Sequence, residues 1–227
     1  MNDMFARSRK LIGDGMMEGL YSSKVLVVGA GGVGGYVIEM LARSGVGKIG
    51  IMDPDVVDVT DKNRQLIALD SSLGKYKAEV WKDRINDINP HCDAISYAQR
   101  FSANNSQVLD MGWDYIVDAI DSFADKVDLI CLAKQKGLDV VSAAGAGNRA
   151  VYCDFEITDI YKTSYDALAK KLRKALKDRG IKNLDVCYTK EPALSCADGV
   201  GSMAYVPSVC GIRIAAFVIS RLLMSIS

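Results

Sequence analysis

Apolar and polar positions along this chain fall into short continuous apolar runs separated by stretches of helical period. "SKVLVVG" at 23–29, "KIGIMD" at 48–53, "DYIVDAID" at 114–121 and "LDVVSAAGAG" at 138–147 read as buried strands, and "CDAISYAQ" at 92–99 as another by alternation. Between them, "VGGYVIEMLARSG" at 33–45 reads as a helix that begins on a glycine turn and is stopped by Gly45. "GKYKAEVWKDRINDINP" at 74–90 places Ala78, Trp81, Ile85 and Ile88 on one helix face, with Pro90 as the stop. A short helix is expected near 103–111, and "SFADKVDLICLAKQKG" at 122–137 runs from a Ser122 cap to Gly137.

Strands that alternate with helices predict an α/β fold: a Rossmann-like, mostly parallel sheet with helices on both faces. Ligands on such sheets bind at the C-terminal strand ends. Gly29 to Gly34, Asp53, Asp118, Asp121 and Gly145 to Gly147 all fall there. From 148 the pattern changes to a strand-like "AVYCDFEIT" at 150–158, a basic helix "SYDALAKKLRKALKDRG" at 164–180 and a short strand "LDVCYT" at 184–189. The loop "KEPALSCADGVGSM" at 190–203 and a final helix opened by Pro207 follow. No internal repeat or long linker divides the chain. It is expected to be one unit over 1–227, with a nucleotide-binding core at 1–147 and a substrate-facing, antiparallel C-terminal extension at 148–227.

Composition adds mainly exclusions. With 49% hydrophobic and 25% charged residues the chain is an ordinary globular one, and Lys+Arg balances Asp+Glu at 28 each. A polyanionic partner must therefore be held by a local patch. The N-terminus lacks the apolar core of a signal peptide, and Arg213 and Arg221 interrupt the C-terminal apolar stretch. These features predict a cytoplasmic protein with no integral membrane segment. Six cysteines without a C-x-x-C pair argue against a disulfide framework and a zinc ribbon. The single His91, after Pro90, excludes histidine metal clusters and reads as structural.

The chemistry starts at "VLVVGAGGVGG", where Gly29, Gly31, Gly32 and Gly34 form a phosphate-binding turn followed by Asp53 at the end of the next strand. Taken alone, this pattern favours a nicotinamide dinucleotide. The loop "DPDVVDVTDKNRQ" shifts the balance, because it adds Asp55, Asn63, Arg64 and Gln65, and the next helix brings Lys75 and Lys77 near its start. Hydride transfer needs no such cations. Attack on an α-phosphate does, because the leaving pyrophosphate calls for Arg and Lys together with a carboxylate-held Mg²⁺, for which Asp121 is the candidate.

"GAGGVGG", "MDPDVVDVTDKNRQ", "GKYKAEVWKDRINDINP" and "VDAIDS", in this order, resemble the ThiF/MoeB group of adenylating enzymes, relatives of the ubiquitin-activating enzymes. The resemblance implies ATP and Mg²⁺ at Asp53, Asn63, Arg64, Gln65, Lys77 and Asp121. It also implies a homodimer in which Arg7 reaches the neighbouring subunit's ATP. Members that activate a ubiquitin-like sulfur carrier usually hold a zinc on two C-x-x-C pairs, which are missing here. "SAAGAGNRA", "ITDIYKTSYDALAKKLRKALKDRGIKN" and "VCYTKEPA" resemble instead the branch that dehydrates threonylcarbamoyladenosine in tRNA.

That branch implies a tRNA partner and adenylation of the threonylcarbamoyl carboxylate, followed by cyclisation. Independently of the resemblance, Lys170, Lys171, Arg173, Lys174, Lys177, Arg179 and Lys182 make one helical segment strongly basic in a neutral chain, a patch able to neutralise phosphates. Leu168, Leu172, Ala175 and Leu176 supply its buried stripe. Two alternatives remain: adenylation of a sulfur-carrier protein, with Cys187 or Cys196 taking the acyl group or sulfur, and a dinucleotide-binding oxidoreductase or regulator. A sulfur-transfer partner fits the first of these.

Overall fold

In a computed structural model that describes residues 3–151, 153–196 and 199–226, seven strands form a single sheet in the order β3-β2-β1-β4-β5-β7-β6. Tyr152, inside the strand expected at 150–158, and Ala197 and Asp198, inside the loop expected at 190–203, lie outside the described residues. The strands are β1 (Lys24–Val28), β2 (Lys48–Met52), β3 (Asp93–Tyr97), β4 (Tyr115–Asp118), β5 (Asp139–Ala143), β6 (Phe155–Asp159) and β7 (Asp185–Thr189). All neighbours pair in parallel except β6 with β7. The antiparallel extension is therefore one edge strand, laid on a β7 that itself continues the parallel sheet.

Strand order reverses between β1 and β4, since β2 and β3 lie to one side and the later strands to the other. Such a switch point splays the loops that leave the two strands and opens a crevice between them. Side chains of β1 alternate strictly: Val25 and Val27 enter the core on one face, Leu26 and Val28 the core on the other.

The first face is covered by α2 (Gly34–Ser44), α3 (Lys77–Ile88) and α6 (Tyr205–Ile226), and the second by α4 (Phe123–Gln135) and α5 (Ala167–Asp178). Short 3₁₀ turns at Val59–Asp61, Asp70–Ser72, Ala103–Asp110 and Ile160–Lys162 complete the connections. Gly45 ends α2 in the left-handed region at φ 91°, as its position predicts. Ser122 occupies the N-cap position of α4, but its hydroxyl accepts from Arg100 rather than capping the helix.

Two features depart from expectation. A helix α1 (Ala6–Ser22) precedes β1, broken at Gly13 with φ 80° and ψ 170°. Phe5, at its N-cap, joins Met17 and Leu20 in the core. Three anchors set that far apart give no readable period. The second concerns the C-terminus. Arg213 and Arg221 do not interrupt the apolar stretch, because both lie on the exposed side of one continuous 22-residue helix.

That helix, α6, has a mean hydropathy of 1.9 over its most apolar window, so by length and composition it passes for a membrane span. Its inner stripe of Val206, Cys210, Ile214, Val218 and Leu222 is packed in the core of the fold.

Candidate active site

A cleft of about 910 Å³ opens at the C-terminal ends of β1, β2 and β4. Its floor is the glycine turn. Gly29 sits at φ +92°, and a Cβ there would come within 2.5 Å of the Ala119 carbonyl oxygen; a Cβ on Gly34 would lie 1.8 Å from the Gly29 oxygen. Only glycine allows the two strand ends and the start of α2 to close this tightly. Gly31 and Gly32 line the cleft, whereas Gly34 lies behind it as the first residue of α2. The turn is fixed from outside as well, since Trp81 Nε1 on α3 donates to the Ala30 carbonyl at 3.2 Å.

Asp53 closes one wall. Its two oxygens accept from the Ala30 and Asp55 backbone N–H groups at 2.7 and 2.9 Å. Burial pushes its carboxyl above the ordinary aspartate value, and those N–H groups and Lys77 pull the other way. A buried carboxylate held at the cleft wall suits the hydroxyl donors of a ribose.

Arg64, Gln65 and Lys77 are brought together by a residue that the sequence reading missed. Asp61, itself buried, accepts from Gln65 Nε2 at 2.6 Å and the Asp58 N–H at 3.1 Å, and pairs with Arg64 at 3.4 Å and Lys77 at 3.3 Å. Lys77 is buried too, between Asp61 and Asp55, which lies 3.4 Å away. The i+3 and i+4 spacing from Asp61 to Arg64 and Gln65 was available in the sequence, but it carries information only once this loop is known to coil. With its Nε2 committed, Gln65 turns a buried Oε1 that has no partner among the described residues, and the side chain lines the cleft.

Asn63 donates to the Ser202 carbonyl at 3.1 Å and accepts from Arg64 at 2.8 Å, joining the cation cluster to the far loop. Lys75, by contrast, lies off the cleft.

On the opposite wall Asp121 lines the cleft, exposed and without an ion pair among the described residues. Among the described residues no group of three or more His, Cys, Asp or Glu side chains could form a metal cage. Asp121, within electrostatic reach of the cleft-lining Arg100, fits Mg²⁺ as a single carboxylate ligand, since that ion is usually bound through one or two carboxylates. Asp118, another strand-end candidate, is a buried pillar: it pairs with Lys126 at 2.7 Å and accepts from Ser142 at 2.6 Å and from the Ile120 N–H at 3.1 Å. It thereby sets the loop that carries Asp121.

Ala146, Gly147, Val200, Gly201, Ser202 and Pro207 also line the cleft, and Pro207 packs over the glycine turn, 3.2 Å from where a Cβ on Gly32 would stand. Asn148, at φ +57°, ties these segments together. Its N–H donates to the Gly201 carbonyl at 2.8 Å, its side-chain oxygen accepts from the Gly201 N–H, and its carbonyl accepts from Leu194 at 2.7 Å. Glu191 gathers the Ala150, Val151 and Cys153 N–H groups. Asn148 lies in "SAAGAGNRA" and Glu191 in "VCYTKEPA", but no period or spacing singles either residue out, because their partners lie about 40 to 50 positions away.

Of the two candidate cysteines, Cys187 is fully buried 3.6 Å from the Cys210 sulfur and presents no thiol to a substrate. Cys196 is exposed, beside Gly201 at the end of the cleft. His91 is exposed in the turn after α3. Arg7 is exposed on α1 and does not line the cleft of its own chain, while its neighbour Arg9 is held by Asp3, Asp14 and Tyr21.

The basic helix α5 is capped by Asp166, which accepts from the Ala169 N–H at 2.7 Å, and buries Ala169, Leu172 and Leu176. Not every basic residue is displayed. Arg173 turns inward to the Thr163 carbonyl and hydroxyl, and Arg179 pairs with Asp128. Lys171 rests 4.0 Å from the ring centre of Phe123, next to the cleft-lining Ser122. Lys170, Lys174 and Lys177 are exposed without partners among the described residues.

The model of the ThiF family matches residues 5–225. The chain belongs to the ThiF family. It is 36% identical to the tRNA threonylcarbamoyladenosine dehydratase of Bacillus subtilis, across 100% of this chain and 97% of that one. Its identity to the Haemophilus influenzae enzyme of the same name is 33%, across 90% and 87%. Among solved structures it matches E. coli tRNA N6-threonylcarbamoyladenosine dehydratase in complex with ATP, with a TM-score of 0.92 and 32% identity over 98% of this chain and 94% of that one. Membership of the ThiF family, together with the cation cluster, sets aside the oxidoreductase expectation.

Proposed function

We infer that this protein is an ATP-dependent dehydratase of threonylcarbamoyladenosine in tRNA. The observation that carries the reading is one cleft in which Arg64, Gln65, Lys77 and the glycine turn are lined up with the segments at 146–147 and 200–202. At about 910 Å³ it stands near the top of the ordinary range for small-molecule sites, roughly 300–1,000 Å³, and has room for a nucleotide with an acceptor beside it.

ATP lies with its phosphates against the glycine turn at the start of α2, where the positive end of the helix dipole favours anions. Asp53 takes a ribose hydroxyl. The threonylcarbamoyl carboxylate attacks the α-phosphorus; a bond forms from its oxygen to phosphorus, and the bond to the departing pyrophosphate breaks. Arg64 and Lys77 balance the charge that builds on the leaving group. Asp121 would hold Mg²⁺, which would supply further charge neutralisation on the phosphates. A nucleophile within the same modification then attacks the acyl carbon, closes a ring and expels AMP, so that water is lost overall. Tethering makes this second step effectively unimolecular.

The modified adenosine lies beside the anticodon, so the enzyme meets tRNA in the cytoplasm, with α5 as the surface for the RNA backbone. In a homodimer Arg7 reaches the partner's nucleotide, consistent with its exposure and with its absence from its own cleft. The sulfur-carrier alternative retains only Cys196 as its acceptor, because Cys187 is sealed in the core.

The deciding test is AMP release from ATP and Mg²⁺ with tRNA carrying threonylcarbamoyladenosine, against the same tRNA lacking it. Stimulation by the modified tRNA alone is expected. Equal rates with both would turn the search to a protein carrier and to Cys196→Ser.

A further inference from the structure

Tyr165 is the most exposed large apolar side chain of the chain's described residues, at 86%, and its backbone is held at φ +62°, a region that bulky residues rarely occupy. A ring that gains nothing from its own fold, on backbone that costs energy to maintain, points to something outside the chain.

Its surroundings say what. The next residue, Asp166, caps α5 and pairs with Arg149, and it fits so closely under the loop at the cleft that a Cβ on Gly145 would lie 1.7 Å from its Oδ2. Gly145 directly precedes the lining residues Ala146 and Gly147. Further along the helix, about one and two turns in, Lys170 and Lys174 are exposed without partners among the described residues, and Lys171 rests on Phe123, next to the cleft-lining Ser122. An exposed aromatic side chain thus stands at the head of a cationic track, joined through Asp166 and Gly145 to the lining residues Ala146 and Gly147.

Single-stranded RNA asks for this combination: cations for phosphates and a flat ring for a splayed base. We propose that Tyr165 is a stacking platform for an unpaired base of the RNA substrate, next to the nucleotide whose modification enters the cleft. The proposal rests on the tRNA reading above. Stacking by Tyr165 holds the flanking base out of the loop, and Lys170 and Lys174 hold the adjoining phosphates.

The test is steady-state AMP release with the full-length protein and modified tRNA, comparing wild type with Tyr165→Ala, Tyr165→Leu, Tyr165→Phe and Tyr165→Trp. Alanine substitution at a stacked base costs about 1–3 kcal/mol, so the KM for tRNA should rise roughly tenfold in the Ala and Leu variants. The KM for ATP, the thermal midpoint and the sedimentation coefficient should not move. Phe and Trp should restore the wild-type KM, because the face and not the hydroxyl does the binding.

Salt separates the ring from the lysines. Tyr165→Ala should leave the slope of log affinity against log salt unchanged, whereas Lys174→Ala should reduce it by about 0.7 for a single-strand phosphate contact. A tRNA KM within twofold of wild type in Tyr165→Ala, failure of Phe to rescue, or a change in oligomeric state would overturn the proposal. If wild type itself is not stimulated by the modified tRNA, the functional reading falls, and the platform falls with it.

Discussion

The two ends of the cleft are built in different ways. The nucleotide end is local: the glycine turn, Asp53 and the Asp61 cluster with Arg64 and Gln65 fall within 37 positions, from Gly29 to Gln65, and are locked by short-range bonds at 2.6–3.4 Å. The acceptor end is assembled from a distance. Asn148 reaches Gly201 across 53 positions, Glu191 reaches back 38 to 41, and Asn63 reaches Ser202 across 139. The residues around the glycine turn are therefore set largely by near neighbours in sequence and the segments at 146–153 and 191–202 by long-range ties, and the two should fail separately.

The largest effect is expected at the shared chemistry. Asp121→Ala should lower AMP formation by at least about 10²–10³-fold, the range for removing a charge-stabilising group from a transition state. Asp121 is exposed and unpaired among the described residues, so the thermal melt should stay at the wild-type midpoint. An active variant would remove Asp121 from its metal-holding role.

Next comes the foundation common to both ends. Lys126 Nζ lies 2.7 Å from Asp118 Oδ2 and donates to the Ala143 carbonyl at 3.1 Å, so it bolts β4, which leads to Asp121, to β5, which leads to Gly145. Lys126→Met leaves a carboxylate buried without its partner, and breaking such pairs costs about 3–5 kcal/mol. Urea unfolding should show that loss. Among folded molecules both the ATP and tRNA KM values should rise together.

A pair of milder variants sharpens the contrast. Asp61→Ala frees Arg64, Gln65 and Lys77, and should raise the KM for ATP roughly tenfold while leaving the tRNA KM in place, the loss of a few charge-assisted bonds of about 1.5 kcal/mol or more each being partly offset by water. Asp61→Asn, which keeps an acceptor for Gln65, should recover most of it. Glu191→Gln should do the reverse, raising the tRNA KM several-fold with the ATP KM unchanged, because it weakens the acceptor for three backbone N–H groups at the far end only. If both variants moved both constants, the two ends would be one mechanical unit.

The same division explains what could be read from the sequence. The parallel strands, the glycine turn, Asp53, Arg64, Gln65, Lys77 and Asp121 announce themselves through apolar runs and fixed spacings, and the structure places all but the strands in or beside one cleft. Asn148 and Glu191 sit in segments that carry the resemblance, yet no period or spacing gives their roles, since an asparagine at positive φ and a glutamate under a loop acquire meaning only from partners that the fold delivers. Asp61 falls between the two, its spacing visible but its loop read as merely polar. Of the basic helix, Arg173 and Arg179 turned out to be engaged in the fold, because charge counting along a helix does not tell which faces its neighbours use.

The smallest predicted effect lies behind the nucleotide end, where α2 and α3 are clamped. Glu39, almost buried, accepts from Arg84 at 2.7 and 2.9 Å and from Arg43 at 2.8 Å. Burial alone would raise its carboxyl, but the two guanidiniums outweigh it and hold the group below the ordinary value of 4.5. A carboxyl that is more acidic in the folded than in the unfolded chain contributes its stability in full above 4.5 and loses it as pH falls through the folded value. Urea midpoints measured downward from pH 6 should therefore fall more steeply below pH 4.5 in wild type than in Glu39→Gln, which has no proton to gain. Parallel curves would show that the Arg84 clamp contributes packing over Trp81, whose indole donates to the Ala30 carbonyl, rather than charge.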